Sequence, residues 1–156
     1  MIGYRSIGES ELLFLVNSEN PLYGKFKYST LKESGCTLPY GVVSFYVDDI
    51  KWHDSHHYID IKVLLPDDAQ IGTAFYMSAP SFAETKVFTG RTGKTRIKVK
   101  EAYIRFYEPQ DIMEIDLHMR YASHYVNGVI KPFCEKYNIS LKWENKTVFE
   151  RKNKND

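Results

Sequence analysis

The sequence contains little cysteine and no long hydrophobic run. Cys36 and Cys134 are its two cysteines among 156 residues, and neither belongs to a Cys-x-x-Cys or Cys/His motif. Small secreted domains usually depend on several disulfides, so this scarcity favours a reducing compartment. No apolar stretch approaches the roughly 18 residues that a membrane-spanning helix needs. Residues 1–5 also lack the apolar core of a signal peptide. We therefore predict a cytoplasmic protein that does not contact a membrane.

Net charge is nearly absent as well. Lys and Arg total 21 against 20 Asp and Glu, a formal charge of +1, so no whole-protein field indicates a nucleic-acid or membrane partner. Aromatic residues, by contrast, are abundant at 15%, with 12 Tyr and 9 Phe. They favour strands and often line concave sites. The length suits one domain. We expect it to occupy residues 1–145, followed by a polar tail over 146–156 that frays.

The hydrophobic pattern predicts many strands and two helices. A strand at 2–7 precedes a short helix at 9–18, whose first turn is acidic as the helix dipole favours. The other predicted elements are strands at 41–47, 57–65, 72–78, 94–107, 112–117 and 139–143 and a longer helix at 119–137. Helices do not regularly separate the strands. The order therefore favours an α+β fold with mainly antiparallel sheets over a parallel α/β sheet.

Three features that resemble chemical motifs have simpler explanations. Segment 90–95, GRTGKT, lacks the first glycine of a phosphate-binding loop, because Phe88 stands five residues before Gly93, and a strand pattern follows. It is better explained as a hairpin turn. His53, His56 and His57 are potential zinc or iron ligands, but no second ligand pair accompanies them, so a solvated loop is favoured. Neither cysteine has a local histidine that would make it a nucleophile, so we expect buried or half-buried thiols.

A basic stretch covers residues 86–105. On the predicted strand, Arg96, Lys98 and Lys100 share one face and form a positive stripe. Proteins that bind single-stranded nucleic acid combine such a stripe with aromatic side chains. The solvent-facing side of an ordinary sheet explains the same pattern. Nucleic-acid binding through strand 94–100 therefore stays an alternative.

Two charged residues stand among apolar neighbours. Glu101 has the strand parity of Val99 and Tyr103, opposite the lysines. An unpaired buried carboxylate is costly, so Glu101 is either paired or faces a pocket. Arg5 is the one cation in the apolar strand 2–7, and arginine suits bidentate contact with phosphate or carboxylate. An internal ion pair between Arg5 and Glu101, or a similar ion pair, would explain both residues without any function.

Three segments resemble ADP-ribosyltransferase-like domains: residues 4–7 (YRSI) with the helix that follows, residues 41–49 (GVVSFYVDD), and residues 98–112 (KVKEAYIRFYEPQDI). They touch about a quarter of the chain and present Arg, then Ser or Tyr, then Glu, in the family's order. The sequence departs from the family in having no Ser-Thr-Ser triplet. Val99 also stands where a Gln or Glu usually precedes the last glutamate, which weakens the case for an arginine acceptor.

The resemblance implies a split antiparallel sheet and NAD as a substrate. Glu101 would be the catalytic carboxylate that stabilises the oxocarbenium-like state formed as nicotinamide leaves. Arg5 would hold the pyrophosphate, and Tyr46 would stack on nicotinamide while Ser44 steadies the pocket. The acceptor would be an unknown protein group, a nucleic-acid base or water, and the protein a bacterial or phage toxin or effector. The main alternative is a non-catalytic binding module on the same scaffold.

Overall fold

A computed structural model describes residues 1–18, 22–23, 42–47, 59–76, 86–89, 95–118 and 120–153. It describes side chains for the same residues apart from 18, 22–23, 74–76, 86–89 and 95–99. The elements in chain order are β1 (Ile2–Ile7), α1 (Glu9–Ser18), β2 (Leu22–Tyr23), β3 (Val43–Tyr46), β4 (Ile59–Leu64), β5 (Gln70–Tyr76), β6 (Lys86–Thr89), β7 (Thr95–Ile104), β8 (Phe106–Tyr107), β9 (Ile112–Leu117), α2 (Ser123–Tyr125), α3 (Lys131–Tyr137), β10 (Ser140–Trp143) and β11 (Lys146–Phe149). A π-helical turn, Val126–Ile130, joins α2 and α3 into one C-terminal helix.

A nine-stranded sheet organises the described part of the chain. Its order is β11-β10-β9-β4-β1-β3-β7-β5, and β6 also pairs with β7. The pairs are antiparallel except β9 with β10, which are parallel. Strands β2 and β8 form a separate two-stranded ribbon. The predicted mixed fold is confirmed: the sheet is mainly antiparallel, one helix comes early and a longer one comes late.

The two faces of this sheet differ in character because side chains alternate along each strand. On β4, Ile59, Ile61 and Val63 are buried, whereas Lys62 is partly exposed and Leu64 is exposed on the other side. The buried residues join one core with apolar side chains of α1 and the C-terminal helix. We call the side of the sheet that packs on the helices the helix face, and its opposite side the polar face.

Close packing on the helix face requires a glycine in β1. A Cβ on Gly3 would lie 2.8 Å from Cβ of Phe45 and 2.9 Å from Cδ1 of Leu65. Real Cβ atoms do not approach other carbons so closely in a packed interior. Gly3 thereby lets β1 sit against its neighbours in the middle of the sheet.

The C-terminal residues are tied to the end of α3. Asn138 has a left-handed backbone, φ 57°, and its N–H donates to carbonyls of the last helical turn. Its side chain also bonds the backbone of Lys152, accepting from the N–H at 2.8 Å and donating to the carbonyl at 2.7 Å. Strand β11 lies inside the segment that we expected to be a frayed tail. The sheet therefore extends four residues beyond the boundary expected at residue 145.

The predicted strands mostly lie where the pattern placed them, and β9 matches residues 112–117 throughout. The long strand expected at 94–107 is instead divided at Arg105, because β8 leaves the large sheet to pair with β2. Of the segment 90–95 that was predicted to form a hairpin turn, residues 90–94 lie outside the described residues. Strands β6 and β7 pair antiparallel on either side of it, and a strand follows it as predicted. No helix in the described ranges is long and apolar enough to cross a membrane.

Candidate functional site

Three neighbouring strands carry the residues predicted for the site. Strand β3 lies between β1 and β7. In the pair of β3 with β7, Ser44 is opposite Tyr103 and Tyr46 is opposite Glu101. Directly opposed residues in an antiparallel pair point to the same face of the sheet. Ser44, Tyr46 and Glu101 therefore share the polar face, and Tyr4, which is opposite Tyr46, joins them.

Glu101 is a buried carboxylate on that face. It is 3% exposed, and its Oε1 accepts a hydrogen bond of 3.0 Å from the hydroxyl of Tyr103. Gly72 of β5 is opposite Glu101, and a Cβ there would lie 2.8 Å from Cε2 of Tyr103. The missing side chain at Gly72 lets the Tyr103 ring lie across β5 with its hydroxyl against the carboxylate. The site thus contains a Tyr–Glu pair that a larger residue at position 72 would disturb.

Arg5 lies on the opposite face. It is paired with Ile61, a core residue, in the β1–β4 ladder. Its guanidinium binds the carboxylate of Glu11 on α1, with Nη2 at 3.2 Å and Nε at 3.3 Å from Oε1. Its Nη1 donates to the backbone carbonyl of Ser44 at 3.0 Å. Arg5 is therefore separated by the sheet from the residues with which it was predicted to form a cleft. The internal ion pair suggested for Arg5 exists, but its partner is Glu11 and not Glu101.

The partner of Arg5, Glu11, lies in the first turn of α1, and the sequence pattern did not distinguish it from its neighbour Glu9. Glu9 and Glu11 both fit the preference for acidic residues at a helix N-terminus. Glu9 is exposed, but Glu11 is 2% exposed and also lies 3.4 Å from the hydroxyl of Tyr107, which donates to it. Burial, and then the charge of Glu11, raise the pKa of Tyr107 well above its usual value. Arg5, Glu11 and Tyr107 form a buried network that ties β1, α1 and β8 together.

A second polar cluster on the polar face was not predicted. Nε2 of His118 lies 2.8 Å from Oδ2 of Asp60 and 3.5 Å from Oδ2 of Asp116, and Ser6 donates to Asp60 at 2.6 Å. Asp60 and Asp116 are directly opposite on β4 and β9. Burial raises the pKa of Asp116, while His118 acts in the opposite direction. Within the described chain, no three His, Cys, Asp or Glu residues are placed to hold a metal ion. Hydrogen bonds through Asp60 join Ser6 and His118 into this cluster.

A cleft of about 790 Å³ opens at the end of the sheet beside this face. Its walls include the residue before β3, the connection from β4 to β5, and the end of β7. Its volume lies within the range of small-molecule sites. Tyr103 belongs to the wall and so links the cleft to Glu101, whereas Ser44, Tyr46 and Glu101 do not line it.

Several other predictions concern residues outside the described ranges. Cys36 and the three histidines at 53, 56 and 57 lie there. In the basic stripe, Lys100 is exposed, but the side chains at 96 and 98 are outside the described set, so nucleic-acid binding stays a prediction. Cys134 is fully buried, and burial raises its thiol pKa to about 12. That confirms the predicted buried thiol at this position.

Comparisons of the chain with protein-family models, curated proteins and solved structures found no match.

Proposed function

We propose that the protein binds NAD on the polar face beside Glu101 and transfers ADP-ribose to an acceptor. One observation carries the proposal. The three segments that resemble ADP-ribosyltransferase-like domains are distant in sequence, yet they contribute the adjacent strands β1, β3 and β7. Two of these strands place Ser44, Tyr46 and Glu101 side by side on one face.

The chemistry suits a buried carboxylate. As the bond between nicotinamide and ribose C1′ breaks, positive charge develops on the ribose, and a nearby anion stabilises it. Glu101 is 3% exposed, so its charge acts with less screening than it would in water. The hydroxyl of Tyr103 fixes the direction of the carboxylate. Nicotinamide leaves as a neutral molecule, and the acceptor forms the new bond to C1′ and loses a proton.

Arg5 has a different role in this proposal from the one that the resemblance implies. Its charge is matched by Glu11 on the helix face, so it does not hold the pyrophosphate. Its hydrogen bond to the carbonyl of Ser44 supports β3 from behind. Arg5 therefore positions the strand that carries Ser44 and Tyr46.

A non-catalytic binding module is the second candidate, and two contacts favour it. Glu101 is bonded to Tyr103, and Arg5 is bonded to Glu11, so internal partners engage both charged residues that the transferase hypothesis singled out. A protein of this kind would use the cleft for binding and would leave NAD intact.

Calorimetric titration with NAD tests the first step. We expect the wild-type protein to bind NAD and Tyr46→Ala to bind it at least about tenfold more weakly, because the variant loses an aromatic stacking surface. Glu150→Gln is the control, since Glu150 is exposed at the end of β11. Absence of binding to folded wild-type protein would overturn the transferase proposal and leave the binding module.

A further inference from the structure

The cleft at the end of the sheet has mainly apolar walls. Val42, Leu65, Ala69 and Ile104 are among its apolar lining residues. Leu64 and Phe106 also line it, and they are 52% and 43% exposed.

Leu64 and Phe106 both expose much of their apolar side chains to water, and both do so in the cleft. Exposed apolar groups that converge on a concave surface are typical of ligand sites. A ligand with an apolar body would cover them.

The same cleft contains charges of both signs. Arg105 and Asp68 line it, and neither makes an ion pair or hydrogen bond with any residue in the described ranges. Two further lining carboxylates, Glu108 and Asp111, are engaged at the short 3-10 helix between β8 and β9. The backbone N–H of Glu108 donates to Asp111 at 3.0 Å, and Gln110 donates to Glu108. Arg105 and Asp68 are therefore the two charged lining side chains that have no partner within the described ranges, although Glu108 and Asp111 keep their negative charges.

We propose that this cleft binds a small zwitterion with an apolar body, of which a free aromatic amino acid is the simplest example. Arg105 binds the carboxylate of the ligand, Asp68 binds its ammonium group, and Leu64 and Phe106 cover its side chain. Guanidinium and carboxylate form charge-assisted hydrogen bonds, often in pairs. The excess of lining carboxylates disfavours a ligand with net negative charge, such as NAD. The proposal is therefore separate from the transferase function and involves no step of it.

The experiment is a calorimetric titration with three related probes in the absence of NAD. Phenylalanine carries both charges, phenethylamine lacks the carboxylate, and 3-phenylpropionate lacks the amine. We expect phenylalanine to bind at least about tenfold more tightly than either analogue, because each loses one charge-assisted bond. Equal or tighter binding of either analogue, or no binding of phenylalanine at millimolar concentration, would overturn the proposal.

Two variants assign the charges. Arg105→Gln should remove the preference for phenylalanine over phenethylamine, and Asp68→Asn should remove the preference over 3-phenylpropionate. The matched controls are Arg120→Gln, at an exposed arginine that does not line the cleft, and Asp67→Asn, in the same turn as Asp68 but outside the cleft lining. Thermal unfolding would establish that each variant is folded. Unchanged preferences in the two cleft variants, or equal losses in the controls, would contradict the assignment.

Discussion

Replacing Glu11 tests the buried network that replaces the predicted Arg5–Glu101 pair. The Arg5 side chain is only 11% exposed. In Glu11→Leu its guanidinium would lose the carboxylate to which Nε and Nη2 donate. Removing one partner of a buried ion pair typically costs about 3–5 kcal/mol, because the other charge stays buried. The same variant also leaves the hydroxyl of Tyr107 without its acceptor. We expect a loss of that size in the free energy of unfolding.

The double variant Arg5→Met with Glu11→Leu should recover much of this loss. Apolar side chains of similar size often replace a buried ion pair at little cost. The Tyr107 hydroxyl and the Ser44 carbonyl still lose a partner, which leaves a deficit of about 1–3 kcal/mol. Urea unfolding of the wild type, both single variants and the double variant gives the coupling energy. Losses that simply add in the double variant would refute the network.

Four smaller perturbations test other parts of the structure. With the other cysteine replaced by serine, Cys134 should react with a thiol reagent at pH 8 only after unfolding, because it is fully buried and burial raises its pKa to about 12; rapid reaction of the folded protein would contradict its burial. Asp116→Asn should increase stability at neutral pH by up to about 1 kcal/mol, mainly because the variant no longer buries a carboxylate charge, and because the like charges of Glu114 and Asp60 lie nearby. Burial raises the pKa of Asp116 in the folded protein, so below pH 3.8, its ordinary pKa, the carboxyl is protonated in both the folded and the unfolded state. Urea unfolding should therefore show no gain in stability below that pH, and a gain that does not change with pH would contradict the role of the charge. Gly3→Ala should cost about 1–3 kcal/mol in thermal unfolding, whereas Gly128→Ala, which meets open space in the C-terminal helix, should stabilise by about 0.5–1 kcal/mol; the reverse order would refute the packing around β1.

The local sequence pattern was sufficient to predict the strands that bury one face. Residues 59–64 and 112–117 alternate or carry dense β-branched residues, and both form strands near the predicted positions. Strands β2 and β8 have two residues each, too few for any periodicity. Strand β11 has four residues, of which Val148 and Phe149 pack against the core, and its pairing with β10 decides its structure. Such elements depend on tertiary partners that a single sequence does not show.

The sequence predicted which strand residues belong to the candidate site, but not which face of the sheet each of them lies on. The parity argument separated Glu101 from the lysines, and Glu101 is buried as that argument requires. Parity within one strand does not tell which face of the sheet it shares with another strand, so Arg5 was grouped with Glu101 although the sheet lies between them. The cluster of Asp60, Asp116 and His118 depends on the pairing of β4 with β9, which no motif in the sequence indicates.

Release of nicotinamide from NAD by the purified protein tests the central claim most directly. We predict that the wild-type protein releases nicotinamide and that Glu101→Gln loses at least about a hundredfold in rate, the scale seen when one group that stabilises developing charge is removed. The variant should unfold at nearly the wild-type temperature, since a glutamine oxygen can still accept the hydrogen bond from Tyr103. Equal rates for the two proteins, or no release by folded wild-type protein, would contradict the claim that Glu101 serves NAD chemistry.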